Sequence, residues 1–409
     1  MRVVERHIIK SSNKYWKEID ELAFKSKNLY NLANYYCRQR FFETGKSLSL
    51  TDLYHASKSS EAYRALPTKV SKQIIKRVTS TWRGYFQSHK EWRKHPNKFF
   101  AEPKIPKYKD KQKGRNVVIY SNESVYKPAL KNGICHLSMS KIKIPTKVEK
   151  VVEVRIVPAT CCYLIEIVYE RPEEQSVNSD YIAGIDLGID RLIALSTNKP
   201  GVRPLLINGK PIKSVNQHYN KLKAKYQSYL TGARRTSNKI ESLTYYRHRF
   251  VDNYLHQTSR IVVNYLVEHN IKTLVIGKND NWKQKVNIGK RNNQQFTQIP
   301  HSKLVQQLTY KCQLVGVKVI ETEESYTSKT SALDLEEPCK QQAYKGKRVK
   351  RGLFKSSCGK VINADINGSL QIIRKYFPEA FTVEEIVSCA VQPLLVNPVR
   401  RTKQLFSTV

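Results

Sequence analysis

Three segments place carboxylates at the ends of hydrophobic elements, the arrangement that gathers acids around a divalent cation. In YIAGIDLGIDRLIAL, Asp186 follows one short apolar run and precedes Gly188 and a second run. In VGVKVIETEESYTSK, a β-branched run leads into Glu321, Glu323 and Glu324. In VINADINGSLQIIRK, Asp365 stands among small residues ahead of Ile366, Leu370 and Ile373, which fall on one helical face. Acids brought together from distant segments repel one another unless a cation lies between them. Two hard metals about 4 Å apart clamp the attacking and leaving oxygens of a phosphodiester. One acid after a strand is more often a turn residue than a ligand. The three segments jointly predict a divalent-metal site drawing on Asp186, Asp365 and the acids at 321–324, with metal-assisted phosphodiester hydrolysis as the first reading.

The charge names the substrate class. Lys and Arg number 72 against 34 Asp and Glu, a formal net charge of +38, and a chain so basic repels itself unless phosphates neutralise it. The basic residues are interleaved with aromatics in KEWRKHPNKFF, YKDKQKGR, YNKLKAKYQSY and TYYRHRF, and there are 24 tyrosines. Aromatic faces stack bases while Lys and Arg follow the backbone, which suits RNA or single-stranded DNA. The residues expected on nucleic acid are Lys104, Lys107 and Tyr108, then Lys221, Lys225 and Arg247, then Lys345, Lys347, Arg348 and Arg351.

The elements that must position these residues follow from periodicity. Residues 1–10 read as a strand and 14–42 as a helix with Leu22, Leu29, Leu32, Ala33 and Tyr36 at helical spacing. A second helix follows Pro67, with Thr68 as its N-cap and Val70, Ile74, Val78 and Trp82 recurring every fourth residue. Pro and Lys dominate 96–115, which predicts a linker or a gripping loop. Strands return at NVVIYSN, ICHLSMS, VVEVRIVP and CCYLIEIVYE, so the N-terminal part is a β-domain interrupted by a helical insertion. From 181 onward strands alternate with helices at roughly 213–230 and 239–270, then KTLVIGKN, the amphipathic HSKLVQQLTYKCQLVG and GVKVIETE. That alternation predicts a mixed sheet flanked by helices, the RNase H-like arrangement in which acids converge at strand ends.

At 409 residues the chain can bury one large core or two to three smaller ones. It has no apolar run of membrane-spanning length and no signal-peptide core at its N-terminus, so a cytoplasmic, nucleoid-associated protein is expected, without a membrane partner. The eight cysteines include no C-x-x-C pair, and free thiols are expected in a reducing compartment.

GIDLGIDRLIALSTN resembles the first RuvC motif of TnpB proteins, transposon-encoded relatives of type V CRISPR effectors and Fanzor proteins. NADINGS before a helix resembles the third motif, TSKTS resembles the entry to the target-nucleic-acid-binding insertion, and PKIPKYKDK and NGKPIKSVNQHYNKL are similar to other TnpB stretches. The resemblance implies an RNA-guided DNA endonuclease with a guide noncoding RNA, a DNA target and Mg2+ in a RuvC site. Sequence reading is then delegated to base pairing. It also implies an order of domains: wedge 1–13, helical recognition insertion 14–95, wedge 96–180, RuvC nuclease 181–331, basic insertion 332–360, and RuvC C-terminal part with tail 361–409.

Two features depart from that pattern. The strand matching the second RuvC motif reads LVIGKNDNW, with Gly277 where the family has Glu. A rearranged site, completed by Glu323 or Glu324 from the neighbouring strand, is the expected solution; Asp280 is a weaker substitute and Glu321 faces the other way. Where the family commonly carries a four-cysteine zinc ribbon, CKQQAYKGKRVKRGLFKSSCGK predicts a zinc-free basic hairpin. Two alternatives stay open: an RNA-guided protein that binds DNA without cutting, and an accessory nucleic-acid-binding protein of transposition without a guide.

Overall fold

The computed structural model describes residues 1–176, 178–279 and 289–398. The chain divides into two compact units, Met1–Arg171 and Pro172–Val409. In the first, β1 (Arg2–Ile9) is followed by α1 (Trp16–Thr44), α2 (Leu50–Ser57), α3 (Glu61–Arg64) and α4 (Thr68–Lys94). β2 (Val118–Ser121), α5 (Lys127–Lys131), β3 (Ile134–His136), β4 (Lys143–Pro145), β5 (Val151–Ala159) and β6 (Cys162–Glu170) come after them. An antiparallel sheet in the order β1-β6-β5-β2 rejoins the two ends of this unit, Arg2 pairing with Glu170 and Ile9 with Tyr163.

The helices between β1 and β2 pack by the spacing seen in the sequence. Val70, Ile74, Val78 and Trp82 of α4 are all buried, with Leu29 and Ala33 of α1 in the same core. α1 stops at Gly45, whose φ of 70° is left-handed and whose N–H returns to the Phe41 carbonyl at 2.8 Å, a conformation glycine adopts at little cost. Thr68 is not the N-cap of α4: the helix begins at Thr68, and Pro67 holds the cap position with extended ψ and no side-chain cap bond. The proline ring fixes φ there and lacks an N–H, so the chain enters the helix without a hydroxyl cap.

The second unit is built on a mixed sheet in the order β11-β10-β7-β8-β9-β15. Its strands are β7 (Ile182–Leu187), β8 (Arg191–Thr197), β9 (Leu205–Asn208), β10 (Thr273–Gly277), β11 (Lys318–Thr322) and β15 (Leu394–Val396). β10 runs parallel to both β7 and β11, and its five residues are all buried, as expected of a parallel strand covered on both faces. α6 (Lys210–Gln227), α7 (Asn238–Glu268), α8 (Lys290–Gln298) and α9 (His301–Leu314) precede β11. β12 (Lys347–Lys350), β13 (Leu353–Lys355) and β14 (Val361–Asn363) form a small antiparallel sheet that leads into α10 (Ala364–Tyr376) and α11 (Val383–Cys389).

Strand alternation sorts the core into two layers. Ala183, Ile185 and Leu187 of β7 join Leu274 and Ile276 of β10 in a cluster with α7 and α9. The opposite face meets Ile366, Leu370 and Ile373 of α10. α8 was not anticipated from the sequence, whose polar KRNNQQFTQ carries no apolar stripe to announce it. Among the described residues no helix is long and apolar enough to cross a membrane.

Candidate active site

Asp186 lies on the α10 face of β7 because it is two and four residues from Gly184 and Ile182. α10 comes unusually close there. A Cβ at Gly184 would lie 2.5 Å from the Ser369 carbonyl oxygen, and a Cβ at Gly368 would lie 2.8 Å from Asp186 Oδ2. The two glycines let the helix cross the strand with its first turns against the carboxylate. Burial, then the nearby Asp365, pushes the Asp186 carboxyl up to about 6, with Arg348 acting in the opposite sense.

β10 pairs with β7 up to Ile276 opposite Ile185, so Gly277 is level with Asp186 one step beyond. A Cβ at Gly277 would sit 2.5 Å from Ile372 Cδ1 and 3.4 Å from the Cβ of Glu324. The space of a side chain at 277 is therefore taken by Ile372 of α10, with Glu324, two residues past the end of β11, in contact beside it. Glu324 Oε1 accepts from Asn279 Nδ2 at 3.2 Å, and the Glu324 N–H donates to Asn279 Oδ1 at 3.0 Å. Among the described residues, Oε2 is buried without a hydrogen-bond partner. Burial, then Asp186 and Glu323, pushes the Glu324 carboxyl up to about 7.

Glu323 turns elsewhere. Its carboxylate is exposed, takes an ion pair from Lys375 at 2.5 Å and accepts the Ser325 N–H at 2.8 Å, and Lys375 holds its pKa down. Of the two glutamates that the sequence offers, Glu323 is thus held by a lysine on the last turn of α10 and Glu324 is the one turned toward Asp186. Glu321 is exposed and paired with Lys278 at 2.6 Å, and Asp280 lies outside the described residues.

Asp365 is placed by its cap. The Asn363 side chain accepts the N–H groups of Asp365 at 2.9 Å and Ile366 at 3.2 Å, which starts α10 and sets Asp365 in its first turn. Arg348 Nη2 of β12 stands 3.7 Å from Asp365 Oδ1. Arg351, at the turn between β12 and β13, pairs with Asp190, which also takes Lys213 at 3.1 Å. The basic stretch therefore does form a hairpin, anchored through the buried Phe354, and two of its arginines engage acids flanking the site.

The donor set is oxygen-rich and suits a hard cation. Burial, with like charge added to it, raises the Asp186 and Glu324 carboxyls, and among the described residues Glu324 Oε2 has no hydrogen-bond partner to occupy it. Among the described residues no three His, Cys, Asp or Glu side chains are already arranged to hold one ion. In this arrangement a cation would compete with Arg348 for Asp365.

The expected nucleic-acid contacts divide sharply. Lys104, Lys107, Tyr108, Lys221, Lys225, Lys345, Lys347, Arg348 and Arg351 are exposed. Arg247 is instead half-buried and engaged within the protein, donating to Asn216 Oδ1 at 2.8 Å and to the Gln298 carbonyl at 2.9 Å. It was grouped with surface cations because TYYRHRF is basic, whereas its position on α7 turns it toward α6 and the end of α8.

Several positioning residues escaped the sequence reading. Asn367, fully buried, donates to the Thr330 carbonyl at 2.8 Å and accepts the Ala332 N–H at 2.9 Å. Gln371 and Arg374 of the same helix bind the Glu336 carbonyl at 2.8 and 2.6 Å. The signal was present as polar residues at positions 367, 371 and 374, one stripe along α10, which needs partners when buried.

Residues 165–283 match the OrfB_IS605 family, described as "Probable transposase", and residues 301–372 match the Cas12f1-like TNB domain. A solved Cas12f1-sgRNA-target DNA complex is similar in fold, with a TM-score of 0.56 at 14% identity, covering 87% of this chain and 83% of that one. The mini-RNA-guided endonuclease CRISPR-Cas_phi3 aligns over 96% of this chain and 94% of its own at 11% identity, with a TM-score of 0.44. No curated protein matches the sequence. The resemblance to TnpB proteins carried by the motifs around Asp186 and Asp365 is thus borne out over the segments 165–283 and 301–372.

Proposed function

We propose that the protein is an RNA-guided DNA endonuclease of the TnpB type. The observation that carries the reading is the grouping of Glu324 and Asp365 about Asp186, on the α10 side of the parallel strands, within segments that match the OrfB_IS605 and Cas12f1-like TNB families. Asp186, Glu324 and Asp365 would hold Mg2+ or Mn2+. Bound there, the cations supply the charge that activates water and stabilises the pentacoordinate phosphate. Gly368 leaves room for the Asp186 carboxylate, Asn363 orients Asp365, and Asn279 fixes one oxygen of Glu324 while leaving the other free.

In this reading the second unit is an RNase H-like RuvC nuclease formed by 181–331 and 361–409, with 332–360 as the target-binding insertion. Residues 1–13 and 96–180 are the wedge and 14–95 the recognition helices. The guide noncoding RNA and the target DNA neutralise the excess of 72 basic residues over 34 acidic ones. Arg348 and its hairpin would take the phosphates of the target strand.

The Arg348–Asp365 pair favours one second reading, a guided protein that occupies DNA without cutting it, because the arginine shares a carboxylate the metals need. Expression with the native flanking locus and sequencing of copurified RNA separates the readings, followed by cleavage of a matched plasmid with Mg2+. A discrete RNA and a cut abolished by Asp186→Ala support the nuclease. Target binding without a cut supports occupancy, and absence of a discrete RNA refutes the guide.

A further inference from the structure

Outside the acidic site, the most elaborately built surface belongs to the first unit. Between α4 and β2 the chain runs through PKIPKYKDKQKGR, a segment with little apolar content of its own. It is nonetheless held to α1 by side chains. Asn31 donates to the Lys109 carbonyl and accepts the Lys109 N–H, both at 2.9 Å. Asn34, buried, donates to the Pro106 carbonyl at 3.1 Å and accepts Trp82 Nε1 at 2.9 Å. Lys27, also buried, donates to the Lys111 carbonyl at 2.6 Å. Ordering a backbone carries an entropic cost that these bonds meet before a ligand arrives.

What the loop presents is a stack. Arg38 donates to the Pro106 carbonyl at 2.9 Å, and its guanidinium carbon lies 4.9 Å from the Tyr108 ring centre and 5.7 Å from that of Phe42. Phe42 is 62% exposed and Tyr108 45%. Phe41, the neighbour of Phe42, packs on the buried Trp82 at 5.4 Å, so the platform is anchored in the core. Lys104, Lys107, Lys111 and Lys113 are exposed along the same loop. Its acid, Asp110, is occupied by the N–H groups of Gln112 and Lys113 at 2.9 and 2.6 Å.

We infer that Tyr108, Arg38 and Phe42 form a stacking site for an unpaired base of an RNA strand, with the loop lysines on the flanking phosphates. A duplex hides its base faces, whereas loops, bulges and ends of a folded RNA offer them to aromatic rings and guanidinium planes. The inference takes the class of partner from the guide-RNA reading and its place from the geometry. Its test needs neither divalent cation nor cleavage, so the two readings fail separately.

The full chain, purified free of nucleic acid, is titrated with a short oligouridylate, an oligothymidylate of equal length and a blunt RNA duplex. Tyr108→Leu and Phe42→Leu are expected to weaken oligouridylate binding about ten-fold each, leaving the salt dependence and duplex binding unchanged. Tyr108→Trp restores the affinity, and 4-thiouridine crosslinks map to Tyr108 or Phe42. Lys107→Ala instead lowers the log–log salt slope by about one. Unchanged affinity in both leucine variants, equal losses on the duplex, or crosslinks elsewhere would overturn the site. Oligothymidylate bound as tightly as oligouridylate would overturn its assignment to RNA.

Discussion

A side chain at Gly277 would begin 3.4 Å from the Cβ of Glu324. In the proposed site Glu324, just past the end of β11, would supply the carboxylate that the TnpB resemblance places on β10, where Ile372 leaves Gly277 no room for a side chain. Glu324→Gln is expected to reduce cleavage on the order of a hundred-fold or more, as Asp186→Ala does. Glu323→Gln, which disturbs only the Lys375 pair, should stay within about three-fold, since an exposed pair contributes about 0–1 kcal/mol. Guided plasmid cleavage measures both, and equal losses would refute the assignment of Glu324.

The close approach of α10 gives a second expectation. Gly368→Ala places a methyl group 2.8 Å from Asp186 Oδ2, so the carboxylate must move and cleavage should fall by at least about ten-fold. Gly84→Ala in α4 meets nothing within 4 Å and should leave cleavage unchanged while stabilising the chain by about 0.4–1 kcal/mol. Cleavage rates and thermal melts of the two variants, side by side, check this.

Arg348 shares Asp365 with the proposed cation. Arg348→Ala should lower the Mg2+ concentration at which the melting temperature rises, because ligand binding to the native state stabilises it by mass action. The same variant should bind target DNA more weakly, with a salt slope reduced by about one. An unchanged Mg2+ midpoint would mean that the arginine does not guard the carboxylate.

Lys311 supplies a pH dependence. Its ammonium is buried between α9 and α7, donates to the His256 carbonyl at 2.8 Å and Ser259 Oγ at 2.6 Å, and burial pushes its pKa down to about 8. Between that value and the unfolded value near 10.5, the unfolded chain binds a proton that the folded chain has lost. Stability from this group therefore rises with pH across that window, by up to about 1.4 kcal/mol per unit. The melting temperature of the parent minus that of Lys311→Met, followed from pH 7 to about 10.5, should climb; a flat difference would refute it.

The sequence alone determined the parts whose cause is local. Alternation along β7 places Asp186 opposite the face of Ile185, the spacing of Ile366, Leu370 and Ile373 makes α10 amphipathic, and the density of Lys and Arg around 345–351 makes an exposed hairpin. These depend on periods of two and 3.6 residues and on composition, which a single chain displays openly. The tertiary structure decided which glutamate faces Asp186 and which cation is free. Lys375 captures Glu323, Ile372 fills the space at Gly277, and Asn216 with Gln298 engages the half-buried Arg247. Each of those outcomes is a competition among side chains far apart in sequence, settled by distances of a few ångströms that appear only once the helices lie on the sheet.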